Sequence, residues 1–343
     1  MTRLTRLTRL TRLTRLTHLT RMRILAATAL MCTAWGPAAL AQGFPTPGKT
    51  IRIIVPFPPG GQTDIHARLV APRLAESLGV PVVVENKPGA STALGAQEVA
   101  RAAADGHTLL YANPTAHTQL PHLVGKLAYD PFADFTPIVR FVRAATVLVA
   151  APGLPAANVR ELVAYARANP GKLNYASVSP GSSSHLNAEM LKQQAGIDIL
   201  HVPYKGSADA TRDLFGGQVQ LMFDGLATAV TNVRAGRVKA LGLADTQRNP
   251  ALPDVPTFTE QGVAGIDIYG WIGFFGPGSL PRETTARLNA ELNRILAQPE
   301  VREALRRGGN DPDGGSADDF ARTVRDQHDR WGAVIRKLGL RLE

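Results

Sequence analysis

The stretch 51–69 constrains the fold most, because it changes from a strand pattern to a helix pattern within a few residues. Four of its first five residues are apolar and β-branched, which favours a buried strand that ends before Pro56. The sequence Pro-Pro-Gly-Gly at 58–61 predicts a turn, and a helix pattern follows it. A helix that begins directly after a strand presents unpaired backbone N–H groups above the loop, which favours binding of an anion.

The glycine-rich loop is not a nucleotide-binding fingerprint. It has neither GxGxxG nor GxxxxGK[ST], and no lysine follows the glycines to reach a phosphate. Gly60 and Gly61 carry no Cβ, so a ligand could approach the backbone closely. Thr63 or Asp64 can cap the helix, and Asp64 is equally a candidate for ligand contact. The loop alone is consistent with a simple strand-to-helix turn or with a site for a carboxylate-sized anion.

Strand patterns alternate with helix patterns along most of the chain. Apolar runs at 80–85 and 107–112 follow the first helix, and a second block begins near Ala144. This spacing predicts right-handed βαβ units and parallel sheets, in which ligands lie at the carboxyl ends of the strands. The loops that we expect at one such edge are 57–64, 86–92 and 113–117, and the last of them contains Thr115.

A second loop of small residues follows a strand predicted at 173–177. It reads Ser-Pro-Gly-Ser-Ser-Ser-His from Ser179 to His185 and opens a helix, so hydroxyls and N–H groups again meet at a helix N-terminus. Asp224 ends another predicted strand, 219–223, and could bind a ligand amine or cap the next helix. Two blocks with such loops predict a two-lobed receptor that closes on a ligand between its lobes.

The charge balance argues against a nucleic-acid partner. The formal net charge is +10, but residues 1–41 contribute seven arginines and no acidic residue, which leaves 31 basic and 28 acidic residues. No basic cluster is interleaved with aromatic residues, as polyanion-binding surfaces require. The histidines lack HExxH spacing and the mature chain lacks a cysteine pair, so we expect neither a metal site nor a cofactor.

The N-terminal residues predict export. Residues 1–20 form a Thr-Arg-Leu repeat, whose period of three matches neither a helix face nor a strand. A charged Met22-Arg23, an apolar run at 24–35 and Ala-Leu-Ala at 39–41 then form a secretory signal with its cleavage site. Cys32, the only cysteine, lies inside this signal. We therefore expect a periplasmic protein with no disulfide and no membrane span in the mature chain.

Seven stretches together resemble the Bug family of extracytoplasmic solute receptors, the binding components of tripartite tricarboxylate transporters. The stretches, spread over the whole mature chain, are IRIIVPFPPGGQTD at 51–64, VVVENKPGA at 82–90, DGHTLLYA at 105–112, YDPFADFTPI at 129–138, KLNYASVSPGSSSHL at 172–186, HVPYKGSADATRDLFGGQVQLMFD at 201–224 and LPDVPT at 252–257.

This resemblance implies an α/β type II periplasmic-binding-protein fold, with two α/β lobes joined by crossing strands. The implied segments are the basic repeat and signal peptide at 1–41, the first part of lobe 1 at 42–142, lobe 2 at 143–271 and the return to lobe 1 at 272–343. It also implies a monomer that binds a small carboxylate, such as a di- or tricarboxylate, an acidic amino acid or an aromatic acid. Membrane transporter subunits, which are separate proteins, would receive this ligand.

The family typically holds the ligand carboxylate with backbone groups and ordered waters of the first loop. The resemblance therefore implies ligand contacts from that loop, from the second loop and from two further positions. The residues are Phe57, Pro58, Pro59, Gly60, Gly61 and Asp64, then Ser179, Gly181, Ser182, Ser183 and His185, and finally Thr115 and Asp224. Of these, Phe57 is an aromatic between two prolines and is suited to shelter a ligand.

Two other functions compete with the transport receptor. The same fold could report its ligand to a membrane histidine kinase, which only an experiment with the partner would distinguish. An exported serine hydrolase could use Ser182, Ser183 or Ser184 beside His185. The chain has no G-x-S-x-G elbow, however, and adjacent residues rarely form the required Ser-to-His hydrogen bond. Helix capping is the better interpretation of these serines, and we expect no enzyme activity.

Overall fold

The computed structural model describes residues 43–342, and the chain from Phe44 onward forms one compact unit. The predicted repeat and signal peptide at 1–41, with Cys32, lie outside the described residues. Among the helices of residues 43–342, none combines the length and apolarity needed to span a bilayer.

The first part of the chain alternates strands and helices as predicted. Its elements are β1 (Ile51–Val55), α1 (Gln62–Leu78), β2 (Val82–Asn86), α2 (Ala93–Ala100), β3 (Thr108–Ala112), the short α3 (Leu120–Leu123) and β4 (Phe135–Ala144). The helix predicted to begin at Ser91 begins at Ala93, because Ala90, Ser91 and Thr92 all have positive φ angles. β4 was missed, since its ten residues include Pro137 and show no clean alternation.

Strands and helices also alternate in the middle of the chain. Its elements are β5 (Thr146–Ala150), α4 (Val159–Ala168), β6 (Leu173–Ser177), α5 (Ser183–Ala195), β7 (Ile199–Pro203), α6 (Ser207–Phe215), β8 (Leu221–Gly225), α7 (Leu226–Arg234) and β9 (Lys239–Ala244). The strand predicted at 219–223 lies two residues further on, so Asp224 is inside β8 and not after it. Helix α7, which follows at once, is the helix expected after Asp224, although its bounds were not predicted.

The last part of the chain is β10 (Gly270–Pro277), α8 (Arg282–Ala297), α9 (Pro299–Arg307), β11 (Asp311–Pro312) and α10 (Ala317–Leu338). β10 pairs antiparallel with β3 and β4, which confirms the predicted return to the first block. α9 was not predicted.

Two sheets form the centres of two lobes. The first sheet has the order β11-β4-β10-β3-β1-β2 and the second β7-β6-β8-β5-β9. β1 is parallel to β2 and β3, and β6 is parallel to β7 and β8, as the alternation predicts. Strands β4, β5 and β10, which lie outside these βαβ units, run antiparallel to their neighbours, so both sheets are mixed. Both sheets bury apolar clusters against their helices.

The start of α1 differs from the sequence prediction. Its N-cap residue is Gly61, and Thr63 and Asp64 lie inside the first turn. Gly61 has an extended backbone and no side chain that could accept a hydrogen bond, so the first N–H groups of α1 receive no side-chain cap. Asp64 instead reaches back with its carboxylate to the N–H of Gly60.

Candidate functional site

A cavity of about 100 Å³ lies where the carboxyl ends of β1, β3, β6 and β8 face one another. Six of the thirteen predicted site residues line it, namely Phe57, Pro58, Gly61, Ser182, Ser183 and Asp224. The other seven lie behind this wall or beside it, namely Pro59, Gly60, Asp64, Thr115, Ser179, Gly181 and His185.

Much of the wall was not predicted as site residues. These side chains and backbone segments come from both lobes and from the strands between them: Gln62, Thr63, Asn113, Pro114, Ala144, Ala145, Thr146, Val178, Ser184, Gly206, Ser207, Phe223, Gly225, Gly270, Trp271 and Ile272. One sequence signal could have found part of this set. Gly206-Ser207 and Asp224-Gly225 are small or polar residues immediately before helices, like the two predicted loops.

Four helix N-termini converge on the cavity. The N-cap residues of α1, α5, α6 and α7 are Gly61, Ser182, Gly206 and Gly225, and all four line the wall. The three glycine N-caps have no side-chain cap, so backbone N–H groups of the first turns stay available. Each helix also places the positive end of its dipole at the cavity.

The wall contains no cationic side chain. Among the described residues that line the cavity, no lysine, arginine or histidine occurs, and Asp224 is the single acidic residue. Within the wall itself, the groups that favour an anion are therefore the helix N-termini and polar N–H and O–H donors. An anion held this way is recognised by the directions of N–H groups, which suits a planar carboxylate of fitting shape.

Asp64 holds the first loop in place from behind. Its two carboxylate oxygens accept hydrogen bonds from the backbone N–H of Gly60 (2.9 Å) and from Nδ2 of Asn86 (3.0 Å), and Arg68 pairs with both. Asn86 Nδ2 also donates to the carbonyl oxygen of Phe57 at 3.0 Å. Burial by itself would raise the pKa of Asp64, but these hydrogen bonds outweigh it and keep the pKa below its usual value. Asp64 is therefore an ionised anchor for the loop.

The serine loop is held together by hydrogen bonds that do not form a catalytic pair. Ser182 Oγ donates to the carbonyl of Ser179 (2.6 Å), and Ser184 Oγ donates to the carbonyl of Phe223 (2.6 Å). His185 Nδ1 accepts from the backbone N–H of Gly181 at 3.1 Å. The ring of His185 thus supports the loop and does not activate a neighbouring serine.

A serine–histidine pair does exist elsewhere in the second lobe. Ser177 Oγ lies 2.7 Å from His201 Nε2, but Ser177 is fully buried and does not line the cavity. Burial lowers the pKa of His201 to about 4. A nucleophile must reach its substrate, and the buried Ser177 cannot. We therefore interpret this pair as a structural contact within the lobe and not as a catalytic pair.

Asp224 organises the start of α7. Its Oδ1 accepts from Ser207 Oγ (2.7 Å) and from the N–H of Gly225 (2.9 Å), and its Oδ2 accepts from Thr228 Oγ1 (2.5 Å). Burial raises the pKa of this carboxyl group, while the three donors oppose the rise. These contacts occupy both oxygens of Asp224 with donors of the protein itself and fix the loop ahead of α7, although no first-turn N–H of α7 is capped by this side chain.

Comparison with known proteins places this geometry in a family. The model of the family described as tripartite tricarboxylate transporter family receptor matches residues 66–340. The protein BugT of Bordetella pertussis is 33% identical over 322 residues, which cover 94% of this chain and 99% of BugT.

Two solved structures are similar to this chain in sequence and in fold. A protein of R. palustris solved with adipate is 36% identical, with a TM-score of 0.83 over 86% of this chain and 99% of the other. MatC from Rhodopseudomonas palustris, solved with bound malate, is 36% identical, with a TM-score of 0.80 over 84% of this chain and 99% of the other.

These similarities extend over both lobes and confirm the two-lobed α/β fold expected from the sequence. The proteins that share it at this level of identity are binding proteins and not enzymes. The chain belongs to the tripartite tricarboxylate transporter receptor family, the Bug family of periplasmic solute-binding receptors.

Proposed function

We propose that this receptor captures a small carboxylate between its lobes and delivers it to a membrane transporter of the tripartite tricarboxylate type. The observation that carries this proposal is the convergence of four helix N-termini on a cavity without a cationic side chain. Such a cavity stabilises one carboxylate with N–H groups and dipoles. Relatives solved with adipate and malate support this ligand class.

The proposed contacts are the predicted residues at the wall. Gly61 and Ser182 begin helices whose first N–H groups point at the ligand, and Phe57 and Pro58 shelter its carbon skeleton. The residues behind the wall, such as Asp64 and His185, act by holding the loops. Their effect on affinity is indirect.

We also propose how the chain is divided and exported. The boundary near 142 falls within β4, which leads into the second lobe. The boundary near 271 falls within β10, which leads back from it, and both strands belong to the first sheet. Two such crossing strands permit hinge closure. The signal at 22–41 would be removed on export, which leaves the described chain in the periplasm.

Purified mature chain, unfolded and refolded to remove carried-over ligand, is expected to be stabilised by one class of acid. The test is a thermal-shift screen against dicarboxylates, tricarboxylates, acidic amino acids and aromatic acids. A ligand that binds only the folded state raises the melting temperature more at higher ligand concentration. At one hundred times Kd it adds about 2.7 kcal/mol to the free energy of unfolding. If folded protein shows no shift with any acid, the carboxylate proposal is wrong.

Loss of the Asp64 anchor is expected to weaken ligand binding. Asp64→Ala removes the carboxylate that accepts from the Gly60 N–H, from Asn86 and from Arg68, and a hydrogen bond to a charged group contributes about 1.5–3 kcal/mol, so the loop loses its binding geometry. We expect an affinity at least roughly tenfold lower, measured by calorimetry with the acid found in the screen.

The matched control is Asp130→Ala. Asp130 also accepts backbone N–H groups, from Phe132 and Ala133, but in an exposed turn that does not line the cavity. Its loss should leave the affinity unchanged. Wild-type affinity in folded Asp64→Ala would show that the anchor is dispensable.

A further inference from the structure

The amide of Gln62, the first residue of α1, has a fixed orientation. Asn310 donates from Nδ2 to the carbonyl oxygen of Gly308 (3.1 Å), so its Oδ1 points the other way and accepts from Gln62 Nε2 at 2.8 Å. The amide nitrogen of Gln62 is thus committed to Asn310. Its oxygen Oε1 is left on the opposite side, buried and without a hydrogen-bond partner among the described residues.

This unpaired oxygen is at the junction of the two lobes. Gln62 and Gly225 both line the cavity, and Oε1 lies so close to Gly225 that a Cβ on that glycine would be 2.0 Å away. Asp224, the only acidic residue of the wall, is the preceding residue. This part of the cavity therefore presents acceptors and attracts a hydrogen-bond donor or a positive charge.

Trp271 offers the complementary group. This residue is part of the wall, its side chain is fully buried against Phe275 and Phe320, and its Nε1–H has no partner among the described residues. An indole N–H can only donate. The cavity thus leaves one donor and one acceptor unpaired, and a buried polar group of this kind needs a partner.

We propose that Gln62 is a specificity-determining residue, which selects carboxylates that carry a hydroxyl or ammonium group beside the carboxylate. This inference rests on the proposed function. The backbone N–H of Gln62 belongs to the first turn of α1, where the carboxylate would be held, so a donor on the adjoining carbon lies within reach of Oε1 of the same residue. Trp271 Nε1–H would pair with an oxygen of the ligand.

Rejection of unsubstituted acids follows from this geometry. An acid without the donor leaves Oε1 buried and unpaired, whereas an acid with the donor satisfies it. A site built to hydrogen-bond one group rejects an analogue that lacks it more strongly than it rejects a change in apolar size. Gln62 would therefore distinguish acids of the same length.

The test uses matched acids of three lengths with wild-type mature protein and calorimetry. The sets are propanoate, lactate and alanine; succinate, malate and aspartate; and glutarate, 2-hydroxyglutarate and glutamate. In the set that binds, we expect a substituted acid to bind roughly 10- to 100-fold more tightly than the unsubstituted one. Tighter binding of the hydroxy acid or of the amino acid shows which donor is preferred. Equal or tighter binding of the unsubstituted acid would overturn this inference and leave the proposed function standing.

A variant of Gln62 tests whether this residue causes the preference for substituted acids. Gln62→Met keeps the length of the side chain but removes both Oε1 and the Nε2 that donates to Asn310, so we expect the ratio of affinities between substituted and unsubstituted acids to fall to within roughly threefold. The control is Gln327→Met, since Gln327 is another buried glutamine with an unpaired Oε1 and does not line the cavity.

The outcomes separate the two proposals. A folded Gln62→Met protein that keeps the full preference for the substituted acid would show that another group binds the hydroxyl or ammonium group. If none of these acids nor any acid of the thermal-shift screen binds folded wild-type protein, the proposed function fails and the role of Gln62 fails with it.

Discussion

Replacement of Gly206 and Gly225 by valine is expected to abolish ligand binding without unfolding the chain. Both glycines belong to the second lobe and face the first. A Cβ on Gly206 would lie 3.0 Å from ring atoms of Pro58, and one on Gly225 would lie 2.0 Å from Oε1 of Gln62 and 3.0 Å from its Cδ. Neither backbone requires glycine, since Gly206 is extended and Gly225 has a φ of −69°. Each lobe can thus fold normally, while the valines hold the lobes apart.

The expected loss of affinity is at least roughly 100-fold, because only a closed cavity brings all four helix N-termini to one ligand. Calorimetry measures the affinity, with circular dichroism to show that the double variant is folded. Gly153→Val is the matched control, since a Cβ on this second-lobe glycine meets nothing within 4 Å. Near wild-type affinity in the double variant would show that the lobes do not close through these contacts.

Stability is expected to fall steeply below pH 6.5. Burial lowers the pKa of His66 to about 4 and that of His117 to about 3, and both rings are almost completely buried. In the unfolded chain both titrate near 6.5. As the pH falls below 6.5, the unfolded state takes up protons that the folded state does not, so the free energy of unfolding decreases with decreasing pH.

This loss continues until the folded-state pKa values are reached. At pH 4.5 it amounts to roughly 2–3 kcal/mol for each histidine. Urea unfolding at pH 7.5 and pH 4.5 measures the effect. Because total stability is on the order of 5–15 kcal/mol, we expect a large drop in the urea midpoint.

His117→Phe should remove one histidine's share of this sensitivity, roughly 2–3 kcal/mol at pH 4.5, because the buried His66 and the partly buried His201 remain. The His117 ring stacks on Phe275 with centroids 4.0 Å apart, and neither of its nitrogens has a partner among the described residues. Phenylalanine keeps the ring and removes both unpaired nitrogens, so stability at pH 7.5 should be unchanged or higher. An unaltered acid loss in this variant would mean that His117 is not one of the titrating groups.

Local patterns were sufficient for most of the first lobe and much of the second. Residues 51–55 form a strand and 58–61 a turn because β-branched side chains and Pro-Gly pairs limit the backbone wherever they stand. Strand β6 has the bounds predicted at 173–177. Where a segment depends on distant partners, as β4 does on β10, the sequence signal was too weak to find it.

The sequence by itself determined the anion-favouring character of two loops, since a small-residue turn before a helix creates unpaired N–H groups locally. It could not determine which loops meet. Gly206 and Gly225 join the cavity, and Asp64 lies behind it, because strand order and lobe packing fix those positions. The Oε1 of Gln62 is turned toward Gly225 and left without a partner because Asn310, 248 residues away, accepts from its amide nitrogen. Chemical character is local to the chain, whereas the direction in which a group points depends on contacts between distant residues.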